Sequence, residues 1–119
     1  MFTSIGMDNF ESEIRLELRP VLLACIHRGF EAKEQLKILE AASRKIDQNV
    51  KICYLYEGFR HAYRVLTVEG TPTFLLFVDG EEIGRVLGKV APEVLIEFVS
   101  EKLAQEVGDI ERLLFPPSP

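Results

Sequence analysis

The side chains best suited to covalent chemistry in this 119-residue chain are two cysteines, Cys25 and Cys53. A thiolate is a nucleophile and a metal ligand, and paired thiols exchange with disulfides. Each cysteine lies within an apolar, strand-like run, however, and the two do not form a Cys-x-x-Cys pair. Small thiols in such runs usually serve as buried core residues. We therefore expect packing roles for both cysteines.

The other candidates for catalysis or metal binding are scattered histidines and carboxylates. His27 follows Cys25 closely, but even with His61 there is no fourth ligand spaced to complete a zinc site. Glu81 and Glu82 fit a solvated turn better than a general acid and base. The sequence contains no glycine-rich phosphate loop. We expect neither a metal nor a cofactor.

The overall composition narrows the classes of partner. The chain is 47% hydrophobic, and its formal charge of −5 is spread along its length. This distribution favours neither nucleic acid nor an anionic membrane surface. No apolar run approaches the roughly 18 residues of a membrane span, and the N-terminus lacks the features of a signal peptide. We expect one cytoplasmic globular domain that binds neither nucleic acid nor membrane.

The elements that must position any site are clearest around a predicted β-hairpin. Thr73–Val78 is rich in β-branched and aromatic residues, which favours a strand. Asp79 and Gly80 suit a tight turn, and Glu82–Leu87 returns as a second strand with one wet face. Pro72 precedes the first strand, where its missing N–H interrupts no ladder.

Helices and strands alternate on either side of this hairpin. Residues 1–7 should be loose, and Val21–Ile26 reads as a central parallel strand covered on both faces. A first helix is predicted from a cap at Asp8 or Asn9 to a point before Pro20, with an apolar stripe of Phe10, Ile14 and Leu18. A second helix is predicted over Glu31–Asp47 and closed by Asn49, and its buried residues are Leu36, Leu39, Ala42, Ser43 and Ile46. A strand over Val50–Tyr56 and a short helix within Gly58–Val68 follow, and a last helix begins at Pro92 with a core face of Val94, Leu95, Phe98, Val99 and Leu103. The order predicts an α/β domain with helices on both faces of a sheet.

The segment Gly70-Thr71-Pro72-Thr73, followed by a hairpin with an Asp-Gly turn, resembles the C-terminal half of thioredoxin. In that family a Gly-x-Pro-Thr segment with a cis proline leads into a similar hairpin. The resemblance extends over roughly residues 8–103 and implies the thioredoxin fold, a central mixed sheet with helices on both faces. It divides the chain into a thioredoxin-like domain, 1–103, and a C-terminal extension, 104–119. Whether the Thr71–Pro72 bond is cis stays open at this point, since only about 5% of X–Pro bonds are.

The same resemblance locates the family's Cys-x-x-Cys motif at a loop without cysteines. Counted from Pro20, the motif falls on Phe30, Glu31, Ala32 and Lys33. The family's preceding tryptophan, buried aspartate and lysine fall on Gly29, Ala24 and Cys53. The chain therefore lacks the dithiol of a disulfide oxidoreductase, and we expect no such activity. The family register would also place Cys53 across from Ala24, so that Cys25 points to the opposite face.

What the resemblance leaves is the family's peptide groove, which here would consist of Gly29, Phe30, Thr71, Pro72 and Gly88. We expect a non-catalytic protein-binding module, adaptor or chaperone-like, that holds a protein or peptide segment partly through backbone hydrogen bonds. Phe30 either presents its ring to that segment or folds back onto the core. The alternative is a thioredoxin-related redox protein with residual single-thiol chemistry at Cys25 or Cys53, acting in cell redox homeostasis.

The C-terminal extension offers a second surface. Asp109–Phe115 follows Gly108 and reads as a short amphipathic turn or helix, closed by prolines. Its apolar residues are of the kind that usually meet another surface. The tail could pack on its own domain, dock a partner, or form a homodimer with a second copy.

Overall fold

The centre of the molecule is a five-stranded mixed sheet. We describe it from a computed structural model, which covers residues 2–27, 29, 31–56 and 60–115. The strands lie in the order β1-β3-β2-β4-β5. Their bounds are β1 Thr3–Ser4, β2 Val21–Ile26, β3 Lys51–Tyr56, β4 Thr73–Val78 and β5 Glu81–Leu87.

Strand direction changes across the middle of this sheet. β3 runs parallel to both β1 and β2, whereas β4 runs antiparallel to both β2 and β5. All six residues of β2 are buried, because helices cover both faces of the strand at the centre. β2 is therefore central, as expected, but parallel to only one of its two neighbours.

Four helical segments surround the sheet in the described part of the chain. They are a short π-helix over Glu11–Arg15, α1 Ala32–Ser43, α2 Arg60–Val65 and α3 Pro92–Leu114. None of the helices described is long and apolar enough to cross a bilayer. The predicted α/β architecture is confirmed.

Two apolar layers form the core, one on each face of the sheet. Leu22, Ala24 and Ile26 of β2 pack in the first layer, with residues of α1 and α3 such as Leu39 and Leu95. The second layer contains Val21, Leu23, Cys25, Cys53 and Leu55, with Ile14 of the π-helix and Leu66 after α2. Alternate residues of β2 therefore serve opposite layers, as the two-residue period of a strand requires.

The N-terminal segment differs from the sequence prediction. Thr3 and Ser4, expected to be loose, pair with Cys53 and Tyr54 as an edge strand. Asn9 does not cap a helix, because its side chain bonds the Gly6 N–H and the Ser4 carbonyl instead. The helix is only the π-turn Glu11–Arg15, so Leu18 lies beyond it and is exposed, and Pro20 does not end it.

Two further helix predictions were wrong in detail. α1 ends at Ser43, and Asn49 donates its N–H to Asp47 in a following turn rather than closing the helix. Val94 of α3 is exposed because it faces solvent beside the buried Leu95. α3 also runs without a break past residue 103 and through Gly108 to Leu114.

The hairpin of β4 and β5 follows its turn signal closely. Asp79 and Gly80 both have positive φ, 52° and 78°, as a tight hairpin turn requires. Leu76 pairs with Gly84 and Phe77 with Glu82, so Ile83 is the extra residue of a β-bulge. A Cβ on Gly80 would lie 2.5 Å from the Arg15 carbonyl oxygen, which shows how tightly the turn packs on the N-terminal segment.

Candidate functional site

Three of the loops expected to form a groove emerge side by side at one end of the sheet. The ladder between β2 and β4 ends at the pair Cys25–Thr73, and Thr73 also pairs with Leu87 of β5. The connection after β2, the segment before β4 and the segment after β5 are therefore neighbours. This places Thr71 and Pro72 between the other two.

Hydrogen bonds hold the middle and last of these loops together. The Gly88 N–H donates to the Pro72 carbonyl at 2.8 Å, and the Thr73 hydroxyl donates to the Gly70 carbonyl at 2.6 Å. The Thr71–Pro72 peptide bond, left open by the sequence, is cis. Pro72 is buried and Thr71 half-buried, so Thr71 is the accessible member of this pair.

The first loop leads directly into α1. Gly29 has φ +96°, and its carbonyl accepts the Ala32 N–H at 3.2 Å. Ala32 is buried, while Glu31 and Lys33 on either side are exposed. Phe30, the most prominent side chain of the sequence prediction, lies outside the described residues. Of the two loop positions that the resemblance assigned to thiols, the described one therefore carries a lysine, which cannot form a disulfide.

Gln35 of α1 is a member of this site that sequence reasoning missed. Its side chain is fully buried, and its Oε1 accepts the His27 N–H at 2.6 Å, which fixes the chain just after β2. Its Nε2 has no hydrogen-bond partner among the described residues. A signal was present, because Gln35 precedes Leu39 and Ala42 on one helical stripe.

On the face of the sheet that α2 covers, the side chains of Tyr63 and Arg85 form hydrogen bonds that link neighbouring elements. The Tyr63 hydroxyl lies 3.0 Å from the Ile26 carbonyl and 3.2 Å from the Leu55 carbonyl, bridging the ends of β2 and β3. Arg85 of β5 donates to the Leu66 carbonyl at 2.8 Å and to the Glu82 carboxylate. That carboxylate, its closest partner, raises the pKa of Arg85. Tyr63 therefore links the ends of β2 and β3, and Arg85 links β5 to the segment after α2.

The two cysteines share one face of the sheet, contrary to the sequence expectation. Cys53 pairs with Leu23 and Cys25 with Leu55, so both thiols enter the second core layer. The expected register was off by one residue, and a one-residue shift moves a side chain to the other face. Such diagonal neighbours lie about 7–8 Å apart, beyond the roughly 4.4–6.8 Å of a disulfide. Both cysteines are free.

Burial also makes both thiols poor nucleophiles. It raises the pKa of Cys25 to about 12 and that of Cys53 to about 11, because the apolar layer disfavours the charged thiolate. Within the described ranges, no group of three or more His, Cys, Asp or Glu side chains could hold a metal ion.

A separate open cleft lies on the α2 side of the sheet. It measures about 360 Å³ and is lined by Met7, Phe10, Glu11, Arg15, His61, Ala62 and Val65. His61 faces this cleft rather than Cys25 or His27, so the structure does not bring together the three residues considered as a metal site.

No protein-family model matches the chain, and no curated protein matches it. The function must therefore be inferred from the geometry of the chain itself.

Proposed function

We propose that this chain is a thioredoxin-like, non-catalytic protein-binding module of the cytoplasm, adaptor or chaperone-like. Its binding site is the loop groove, which we define by Gly29, Thr71, Pro72 and Gly88. Phe30, the next residue after Gly29 in the sequence, is the aromatic residue that we expect to take part in binding. The ligand is an extended segment of another protein. The mixed sheet with helices on both faces supports the thioredoxin-like assignment, since this is the architecture that the sequence resemblance implies.

The observation that carries the proposal is the position of Thr71 relative to the sheet. Pairing between β2 and β4 stops at Cys25–Thr73, so Thr71 lies past the last rung of that ladder. An extended peptide can place its backbone beside such a segment and form strand-like hydrogen bonds with it. The bond from Gly88 to Pro72 holds the segment still, which lowers the entropic cost of binding.

The alternative redox function finds no support in the positions of the thiols. Cys25 and Cys53 are buried in the second core layer, and their raised pKa values disfavour the reactive thiolate. We expect the purified chain not to accelerate the reduction of insulin disulfides by dithiothreitol. Reduction of insulin at the rate of a working dithiol enzyme would contradict this expectation.

The groove is tested with a photocrosslinking residue, p-benzoylphenylalanine, placed at Thr71 of the full chain in the cells that make it. The matched control places the same residue at Glu97, which is exposed on α3. We expect adducts with defined protein segments at Thr71 and none of the same adducts at Glu97. Identical adduct patterns at both positions, or none at either, would overturn the proposal.

Phe30 requires its own variant because it lies outside the described residues. If the ring contacts the bound segment, Phe30→Ala reduces the Thr71 adducts and leaves the free energy of unfolding unchanged. If the ring packs on the core, the same substitution lowers the free energy of unfolding by about 3–5 kcal/mol. Urea denaturation beside the crosslinking assay distinguishes the two arrangements.

A further inference from the structure

The C-terminal half of α3 carries large apolar side chains that the domain does not cover. Leu103 is the last residue of the helix that packs against the first core layer. Beyond it, Val107, Ile110 and Leu114 are 56%, 49% and 66% exposed. Leu113 and Phe115 are exposed as well. Apolar side chains so concentrated on a surface usually mark a binding site.

These side chains form one continuous line along the helix. Leu103, Val107, Ile110 and Leu114 follow one another at intervals of four, three and four residues. This is the spacing of the a and d positions of a heptad, which places them on one face. We call this line the α3 stripe; at 1.5 Å per residue it is about 16 Å long.

Two carboxylates border the α3 stripe, one on each side. In the heptad frame Glu106 occupies a g position and Glu111 an e position, the two sites that flank an a/d seam. Asp109 points away from the seam and pairs with Arg112, whose Nη1 lies 3.1 Å from its carboxylate. Among the described residues, Glu106 and Glu111 have no ion-pair partner. Each border therefore carries one carboxylate that is unpaired within the described part of the chain.

This charge pattern argues against a second copy of the chain as the occupant. In a parallel pair, g and e′ positions face each other, which would place Glu106 against Glu111 of the other copy. In an antiparallel pair, g faces g′ and e faces e′. No basic side chain of the second copy would face either carboxylate, because these positions hold Ala104, Glu106, Glu111 and Leu113. Anionic lipid would be repelled in the same way. A complementary surface must instead carry positive charge.

We propose that the α3 stripe binds an amphipathic helix of a partner protein, one whose apolar face is bordered by lysine or arginine. Val107, Ile110 and Leu114 pack against that apolar face, and Glu106 and Glu111 pair with the basic borders. This site is separate from the loop groove and does not depend on it.

The test uses two synthetic peptides of about 21 residues, long enough to hold a helix. Both carry leucine at a and d; one has lysine and the other glutamate at e and g. Binding to the full chain is measured by fluorescence anisotropy at low salt. We expect the lysine peptide to bind at least tenfold more tightly. Ile110→Ser should weaken that binding at least tenfold, whereas Gln105→Ser, on the opposite side of α3, should not change it.

Charge reversal separates electrostatic recognition from general stickiness. Glu106→Lys combined with Glu111→Lys should reverse the preference in favour of the glutamate peptide. Equal binding of both peptides, binding of neither, or binding unchanged by Ile110→Ser would overturn the proposal. So would sedimentation equilibrium showing a dimer of the chain that Leu114→Ser dissociates. Adducts at Thr71 should be unaffected by all these variants, so failure here is distinguishable from failure of the groove.

Discussion

The two halves of α3 have similar apolar spacing but different surroundings. In the first half Leu95 and Val99 are 0% and 3% exposed, because they pack against the sheet and α1. In the second half Ile110 and Leu114 continue the apolar spacing but are 49% and 66% exposed among the described residues. Helical periodicity therefore indicates which side of α3 is apolar. Whether that side is buried depends on how far the sheet and α1 extend along the helix.

The same contrast between buried and exposed groups applies to the thiols, the glycines and the ion pairs, and each gives a testable prediction.

The largest expected effect is on the rate at which the thiols react. Cys25 and Cys53 should react with a disulfide reagent such as DTNB at least about 1,000-fold more slowly than an exposed thiol, because reaction requires opening of the core. Gln105→Cys supplies the exposed thiol in the same chain. Comparable rates for all three would show that the second core layer is open.

Side-chain truncation in α3 sharpens the comparison directly. Leu95→Ala should lower the free energy of unfolding by about 2–5 kcal/mol, because it removes buried methyl groups and leaves a cavity. Leu114→Ala should change it by less than about 0.5 kcal/mol. Urea denaturation of both variants measures the difference. Equal losses would mean that the second half of α3 is covered in solution.

Two glycines with positive φ make the same comparison for the backbone. Gly88→Ala should cost about 1–2 kcal/mol, since φ is +87° but nothing lies within 4 Å of the added Cβ. Gly80→Ala should lower the free energy of unfolding by about 1–3 kcal/mol more than Gly88→Ala does, because its Cβ would clash with the Arg15 carbonyl. Thermal or urea unfolding of the pair measures the difference. Similar costs would place the N-terminal segment away from the hairpin turn.

The smallest expected effect concerns ion pairs at low pH. Hydrogen bonds from Arg19, and then from Lys51, lower the pKa of Glu17 from its ordinary value of 4.5 to about 2. The stabilisation is therefore full above about pH 4.5 and is lost as the pH falls toward 2. Glu17→Gln should therefore reduce the pH dependence of the urea unfolding midpoint between pH 4.5 and 2. Asp109→Asn, at an exposed pair on the tail, is the control with little effect.

Much of the fold could be predicted because its signals are local. The bounds of β2 and β4 coincide with the predicted Val21–Ile26 and Thr73–Val78, since each is an apolar run ended by turn residues. β1 could not be predicted, because Thr3 and Ser4 become a strand only by pairing with β3. The face of the sheet on which Cys25 lies could not be predicted either, because it depends on the register between segments that are distant in the sequence.

The candidate site was predictable to a similar extent. Thr71, Pro72 and Gly88 were proposed as groove residues from the sequence, and the strand register brings their segments together; whether they bind a peptide stays a prediction. Gln35 was missed because polar residues are usually assigned to solvent, and its burial depends on one bond to the His27 N–H. The uncovered α3 stripe depends on where the domain ends, which the helix's own sequence does not encode.

The irregular edge strand β5 has a consequence for the protein at high concentration. β4 is a run of six residues, Thr73–Val78, with the apolar, β-forming composition typical of segments that stack into fibrils. β5 shields it, and β5 itself carries Glu81, Glu82 and Arg85 along with the bulge at Ile83. Charges and bulges on an edge strand oppose pairing with strands of other molecules. The hairpin thus protects β4, so that strands from neighbouring molecules cannot readily extend the sheet at its β5 edge.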